Sequence, residues 1–147
     1  TATHDRSWWN MIRSGSTIAM EAWDMKYKPN SDWNHAWGAA PANIIPGYLW
    51  GIRPTAPGFA KAEIKPQTGN LTSSRIEVPT IRGNIKAEYR KTQNNGEEYI
   101  IFIPANMEYD FVFADPDFRV VKLNGKKVKP GINRLPLQSG TNRLIID

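Results

Sequence analysis

The stretch Ile85-Lys-Ala-Glu-Tyr-Arg-Lys-Thr-Gln-Asn-Asn-Gly-Glu-Glu-Tyr-Ile-Ile-Phe-Ile103 decides the fold of most of this chain. Ile85, Ala87 and Tyr89 alternate with Lys86, Glu88 and Arg90, the period-two pattern of a strand that buries one face. Asn94-Asn95-Gly96 supplies turn residues that tolerate positive φ, and Tyr99, Ile101 and Ile103 return with a looser alternation. The spacing predicts a β-hairpin with one buried face. Further along, Asn124-Gly125 turns Val120-Val121-Lys122-Leu123 into Lys126-Lys127-Val128, and Leu144-Ile145-Ile146 predicts a closing strand. Ala62–Lys65 and Arg75–Val78 predict two earlier strands. The echo Gly131-Ile-Asn-Arg-Leu135 and Gly140-Thr-Asn-Arg-Leu144 fits successive turn-then-strand units. Apolar runs separated by turn signals in this way predict an antiparallel β-sandwich over residues 52–147.

Toward the N-terminus the character changes at Gly51-Ile-Arg-Pro-Thr-Ala-Pro-Gly58, whose prolines and glycines stop any helix or central strand from running through. All six tryptophans (Trp8, Trp9, Trp23, Trp33, Trp37, Trp50) and both histidines (His4, His35) precede it. This shift divides the chain into two modules, 1–51 and 52–147. In the first, Ser7 to Arg13 predicts a short helix ending before Gly15. His35 to about Ile45 predicts a second, with Trp37, Ala40, Ile44 and Tyr48 on one side and Pro46 kinking or ending it. Trp8, Trp37 and Trp50 are expected in the core. Two short helices with few aliphatic residues cannot enclose six indoles, so this module is expected to be the end of a larger helical domain whose beginning is absent.

Composition sets further bounds. With 147 residues, 40% apolar and 22% charged, the chain is neither disordered nor collagen-like. No apolar run reaches the roughly 18 residues of a membrane span, and the N-terminus lacks a signal-peptide layout, so no membrane partner is expected. Nineteen basic against fourteen acidic residues leave +5. Residues 1–50 balance Arg6, Arg13, Lys26 and Lys28 against Asp5, Glu21, Asp24 and Asp32, so the excess lies in the second module. There it is dispersed apart from Lys122, Lys126, Lys127 and Lys129 around one turn, which argues against a nucleic-acid partner. The absence of cysteine excludes disulfides, thiolate metal sites and Cys nucleophiles. Two histidines thirty-one residues apart give no ligand spacing, and no phosphate loop or Ser nucleophile elbow is present, so neither a metal nor another cofactor is expected.

The stretch that could carry chemistry is Thr17–Asn34 and its flanks, which show no periodicity. Glu21 sits among aromatic residues, and apolar surroundings would raise its pKa toward that of a general acid or base working near neutrality. Trp23 and Trp33 beside Asp24, Asn34 and His35 form the composition of a sugar pocket, because a pyranose stacks its C–H face on an indole while polar side chains bond its hydroxyls. Plainer roles stand beside these: a Glu21 paired with a cation or backbone amide, a hydrogen-bonded His35 at a helix start, and Asp24 and Asp32 as surface or capping residues.

Four segments carry a family resemblance: Trp8-Trp9-Asn-Met-Ile-Arg-Ser-Gly15-Ser-Thr17; Met20-Glu21-Ala-Trp23-Asp24; Trp33-Asn34-His35-Ala-Trp37-Gly38; and Leu49-Trp50-Gly51-Ile52-Arg53-Pro54 with Pro57-Gly58-Phe59 and Ile64-Lys-Pro66. Their order and spacing over residues 8–66 resemble the C-terminal end of the bacterial α-L-rhamnosidases of glycoside hydrolase family 78. The resemblance implies the terminal helices of a six-hairpin α/α barrel followed by an antiparallel β-sandwich. It implies Glu21 as the general base of an inverting displacement, His35 as a sugar ligand and Trp23 as a pocket aromatic. It places the general acid upstream of Thr1, so that this chain by itself would be inactive. The sequence departs from the pattern at Met20, where the family commonly has Trp, and in the short loop from Glu21 to His35. The partners implied are a rhamnose-containing glycoside or polysaccharide and the rest of the catalytic domain. Family habit points to a periplasmic or extracellular setting. Incomplete cover of Trp8, Trp9, Trp37 and Trp50 would favour a dimer of the isolated chain. The alternative is a non-catalytic module, either a carbohydrate-binding one or a structural sandwich.

Overall fold

The computed structural model describes residues 4–93, 95–114, 121–129 and 131–147. Asn94 of the first expected turn and Val120 of an expected strand lie outside the described residues. The chain forms two compact units, Thr1–Ile44 and Ile45–Asp147.

In the first unit Ser7 caps α1 (Trp8–Arg13) by accepting a hydrogen bond from the Asn10 amide on its hydroxyl, 3.1 Å. The single second helix expected from His35 to Ile45 does not form. A 3-10 turn spans Ala36–Ala39, α2 is a single turn over Pro41–Ile44, and a π turn follows at Ile45–Leu49 in the second unit. The prolines account for the breaks. Pro41 has no N–H to give to the preceding turn and starts a new one, while Pro46 removes a donor where the winding widens. Trp37, expected in the core, is 87% exposed, and Trp8 is 41% exposed. Trp50 is buried at 1%, as expected of a core residue, and so offers no surface for dimer formation.

Among the described residues the second unit has ten strands in two sheets. A four-stranded sheet runs β1 (Ile52–Pro54), β2 (Lys61–Ile64), β6 (Glu108–Val112), β9 (Arg134–Leu137). A six-stranded sheet runs β3 (Ser73–Thr80), β4 (Gly83–Lys91), β5 (Glu97–Ile103), β10 (Gly140–Ile146), β7 (Val121–Leu123), β8 (Lys126–Lys127). The expected hairpin is β4–β5, with Ala87 opposite Ile101 and Tyr89 opposite Tyr99. The fully antiparallel expectation needs one correction, because β2 and β6 pair in parallel. Three strands of the other sheet separate them in sequence, and a crossover of that length returns the chain in the same direction. The two halves of the sequence echo end in different sheets: Leu135 lies on β9 and Leu144 on β10.

Both sheets turn one face into a single core. Ile52, Ile64, Tyr109, Phe111 and Leu135 come from the smaller sheet, and Ile85, Ala87, Tyr89, Tyr99, Ile101, Ile103 and Leu144 from the larger. Tyr99 and Phe111 meet edge to face across the layers, their ring centroids 5.1 Å apart. Three strand prolines, Pro54, Pro79 and Pro136, lie on the edge strands β1, β3 and β9, where a missing N–H leaves no neighbour unpaired. The Gly51–Gly58 segment is no slack connector. Trp50 donates its indole N–H to Ser74 Oγ, 3.2 Å, and Ile52 pairs with Ile64. Gly51 has φ +61°, and a Cβ there would lie 2.1 Å from the Lys65 carbonyl oxygen.

Candidate functional site

All the candidate site residues fall in the first unit, on chain without helix or strand between Gly15 and Ala36. Backbone bonds fold this stretch on itself: Glu21 donates its N–H to Asp32 O, 2.9 Å, and His35 to Ala19 O, 2.8 Å. Ser31 is buried and its hydroxyl accepts the Ala22 N–H, 3.2 Å. Beneath them Met20 is buried, and Gly38 closes on it so tightly that a Cβ would stand 2.6 Å from the Met20 carbonyl oxygen. These contacts bring together two residues fourteen positions apart in sequence, Glu21 and His35.

The Glu21 carboxylate is held at both oxygens. The Lys28 ammonium pairs with Oε1, and the Asp32 N–H donates to Oε2, 3.3 Å. Selected side-chain donor atoms of Glu21, Asp32 and His35 lie within 4.8 Å of one another. A cation could be imagined at that spacing, but the Lys28 ammonium already supplies positive charge to Glu21, and we read the group as an ion-paired cluster. The expectation of a raised Glu21 pKa is overturned. Lys28 first, then the Asp32 amide and to a smaller degree His35, hold it below the ordinary carboxylate value. The plainer reading of Glu21, a carboxylate paired with a cation and a backbone amide, describes its contacts. His35 precedes the 3-10 turn without a side-chain capping bond; only its carbonyl serves, accepting the Gly38 N–H at 3.0 Å.

The remaining candidates divide. Trp33 and Asn34, with Asp32, line an open hollow of about 610 Å³ together with Gly15–Ile18. Trp23 and Asp24 instead face α1. Trp23 packs edge-on against Trp8 at 5.0 Å, and buried Asn10 donates its side-chain N–H to Trp23 O, 3.0 Å, and to Asp24 Oδ2, 3.2 Å. Asp24 also accepts the Lys26 N–H, and the two bonds hold its pKa below the ordinary value. It behaves as a structural residue that closes a local turn and ties the segment to α1, not as a helix cap. Sequence reasoning missed Lys28, Asn10 and Ser31. Lys28 sits just before Pro29-Asn30, a turn signal that could have suggested a chain reversal carrying it back to Glu21.

The first unit thus brings a carboxylate and an imidazole together, and a β-sandwich follows it in the chain. Residues 51–127 match the bacterial α-L-rhamnosidase C-terminal domain, and residues 1–49 match the bacterial α-L-rhamnosidase 6 hairpin glycosidase domain. The chain belongs to the bacterial α-L-rhamnosidase family. An α-L-rhamnosidase of Alteromonas sp. (strain LOR) is 30% identical over 152 residues, a match covering 96% of this chain and 16% of that relative. The α-L-rhamnosidase of Streptomyces avermitilis, solved in complex with L-rhamnose, superposes with a TM-score of 0.76 at 21% identity, covering 98% of this chain and 15% of that one. The enzyme from Dictyoglumus thermophilum gives 0.79 at 21% identity, covering 100% and 18%. These two likenesses concern the fold. The chain thus spans a small part of the length of its relatives.

Proposed function

We propose that this chain is the C-terminal part of an inverting α-L-rhamnosidase, with residues 1–51 ending its six-hairpin α/α barrel, residues 52–147 forming the sandwich that follows it in the chain, and Glu21 acting as general base. The observation that carries this reading is the fixed juxtaposition of Glu21 and His35 within the segment that matches the glycosidase domain. An ionised carboxylate is the state a base needs, because it must take a proton from water as that water attacks the anomeric carbon. His35, Asn34 and Trp33 contact the sugar. Trp23 and Asp24 shape the pocket wall from the side of α1.

Inversion needs a second carboxyl about 6.5–9.5 Å from the base, to leave room for the water. Asp32, with an oxygen within 4.8 Å of one of Glu21, is too close for that role. The family resemblance puts the general acid upstream of Thr1, and on that reading the 147-residue chain alone turns over no substrate. The exposed indoles of Trp8, Trp9 and Trp37 are covered by the rest of the barrel.

The test is hydrolysis of an aryl α-L-rhamnoside by this chain and by the longer enzyme that carries it, each with and without Glu21→Gln. Turnover by the longer wild type alone, reduced about 10²–10⁴-fold by Glu21→Gln, is the expected result. Turnover by the 147-residue chain would overturn the division of acid and base, and full activity of Glu21→Gln would remove the base from Glu21.

A further inference from the structure

The base reading leaves one contact unexplained, the ammonium of Lys28 on the carboxylate of Glu21. We propose that Lys28 is the positioning residue of the general base, delivered by the 24–32 loop so that Glu21 stays anionic and fixed in orientation beside a second carboxylate. This rests on the assignment of Glu21 as base and deepens it.

The loop is built for that delivery. Tyr27 donates its N–H to Asp24 O, 3.0 Å, and Lys26 to Asp24 Oδ1, 3.2 Å, forming the first reversal. The Arg6 guanidinium lies 4.6 Å from the Tyr27 ring centroid and the Lys26 ammonium 5.2 Å, holding the tip. Ser31 then donates to Lys28 O, 2.9 Å, and the next residue returns to pair with Glu21. The side chains of Lys28 and Glu21 are 42% and 24% exposed, so the pair stands at the surface of its unit and needs no buried charge.

The electrostatic reason lies in Asp32. A carboxylate oxygen of Asp32 stands within 4.8 Å of one of Glu21, and like charges so close repel, which a cation on Glu21 offsets. The groups facing Glu21 are the Lys28 ammonium, the Asp32 amide and carboxylate, and the His35 imidazole. Lys28 is the one of them whose side chain forms an ion pair with Glu21. With it on Oε1 and the Asp32 N–H on Oε2, each oxygen is fixed by one donor and keeps a lone pair for the attacking water.

The experiment is the pH dependence of kcat/KM on an aryl α-L-rhamnoside, in the longer enzyme, for wild type, Lys28→Met, Lys28→Arg, Asp32→Asn and Glu21→Gln. Below the acidic limb kcat/KM falls about tenfold per pH unit. Lys28→Met is expected to move that limb to higher pH with little change in KM, Lys28→Arg to restore it, and Asp32→Asn to move it to lower pH. A limb unmoved in a Lys28→Met enzyme that melts like wild type overturns the inference, while an inactive Glu21→Gln keeps the base reading. Full activity of Glu21→Gln overturns both. If Lys28→Met does not fold, Asp32→Asn reads the same balance in the opposite sense, and an unmoved limb there is equally decisive against it.

Discussion

Residues 45–147 bury Ile64, Ile85, Ile101, Ile103 and Leu144 completely, whereas the described apolar side chains of residues 4–44 that reach the buried class are Met11 and Met20 alone. In the first unit the buried residues are otherwise polar: Ser7, Asn10 and Ser31. The sandwich is held by packed apolar area, and the site segment by directed hydrogen bonds. The difference teaches where function can sit. A close-packed core leaves no room for a ligand between its side chains, while a hydrogen-bonded loop can hold Glu21, Asp32 and His35 in register and still leave Trp33 and Asn34 facing solvent.

Four substitutions can break or sharpen this contrast. Trp50→Ala removes the largest fully buried side chain of the sandwich and its bond to Ser74, and should cost about 3–5 kcal/mol in thermal or denaturant unfolding. If the loss were as small as at a surface site, the sandwich core would not be the unit described. Glu98 comes next. It is 3% exposed between the Nε atoms of Arg90 and Arg143, which hold its pKa below the ordinary 4.5. Its folded pKa being depressed, it contributes stability above the ordinary value and loses it as pH falls through the folded one. Glu98→Gln should therefore cost about 1–3 kcal/mol at pH 7 and reduce the loss of stability that wild type shows below about pH 4.5. Equal acid sensitivity in both proteins would show that other carboxylates govern it.

In the first unit Asn10→Ala removes the bonds to Trp23 O and Asp24, worth about 1 kcal/mol of local stability. The expected readout is faster amide hydrogen exchange from residues 22–32 with unchanged exchange in β4 and β5. A change shared by the sandwich strands would mean that the two units open together. Trp37→Ala is the smallest effect, within about 0.5 kcal/mol in the isolated chain, since the ring is 87% exposed. A larger loss would mean that the indole is covered in solution, by a second copy of the chain.

The hairpin β4–β5, the Asn124-Gly125 turn and α1 were legible because each is local. Alternation, turn residues and a Ser cap act over a few neighbours, and residues close in sequence settle them. The broken helix after His35 was half legible, since Pro46 announced a break but not the separate 3-10, α and π turns that replace one helix. The site was legible as a composition rather than as a geometry. Glu21, His35, Trp33 and Asn34 could be named from their types, yet nothing in the spacing distinguished Asp24, engaged with α1, from Asp32, engaged with Glu21.

By itself the sequence determined the β-rich second module, the change of character near Gly51 and the family to which the chain belongs, because periodicity, turn chemistry and motif order are written along the chain. Tertiary structure alone decided the parallel pairing of β2 with β6, which of the tryptophans are covered, and that the Glu21 pKa is lowered rather than raised. Each of these depends on residues distant in sequence. A carboxylate's charge is set by whichever ammonium, amide and neighbouring carboxylate the fold brings within a few ångströms, and here that was Lys28, carried back by a loop whose own residues show no period at all.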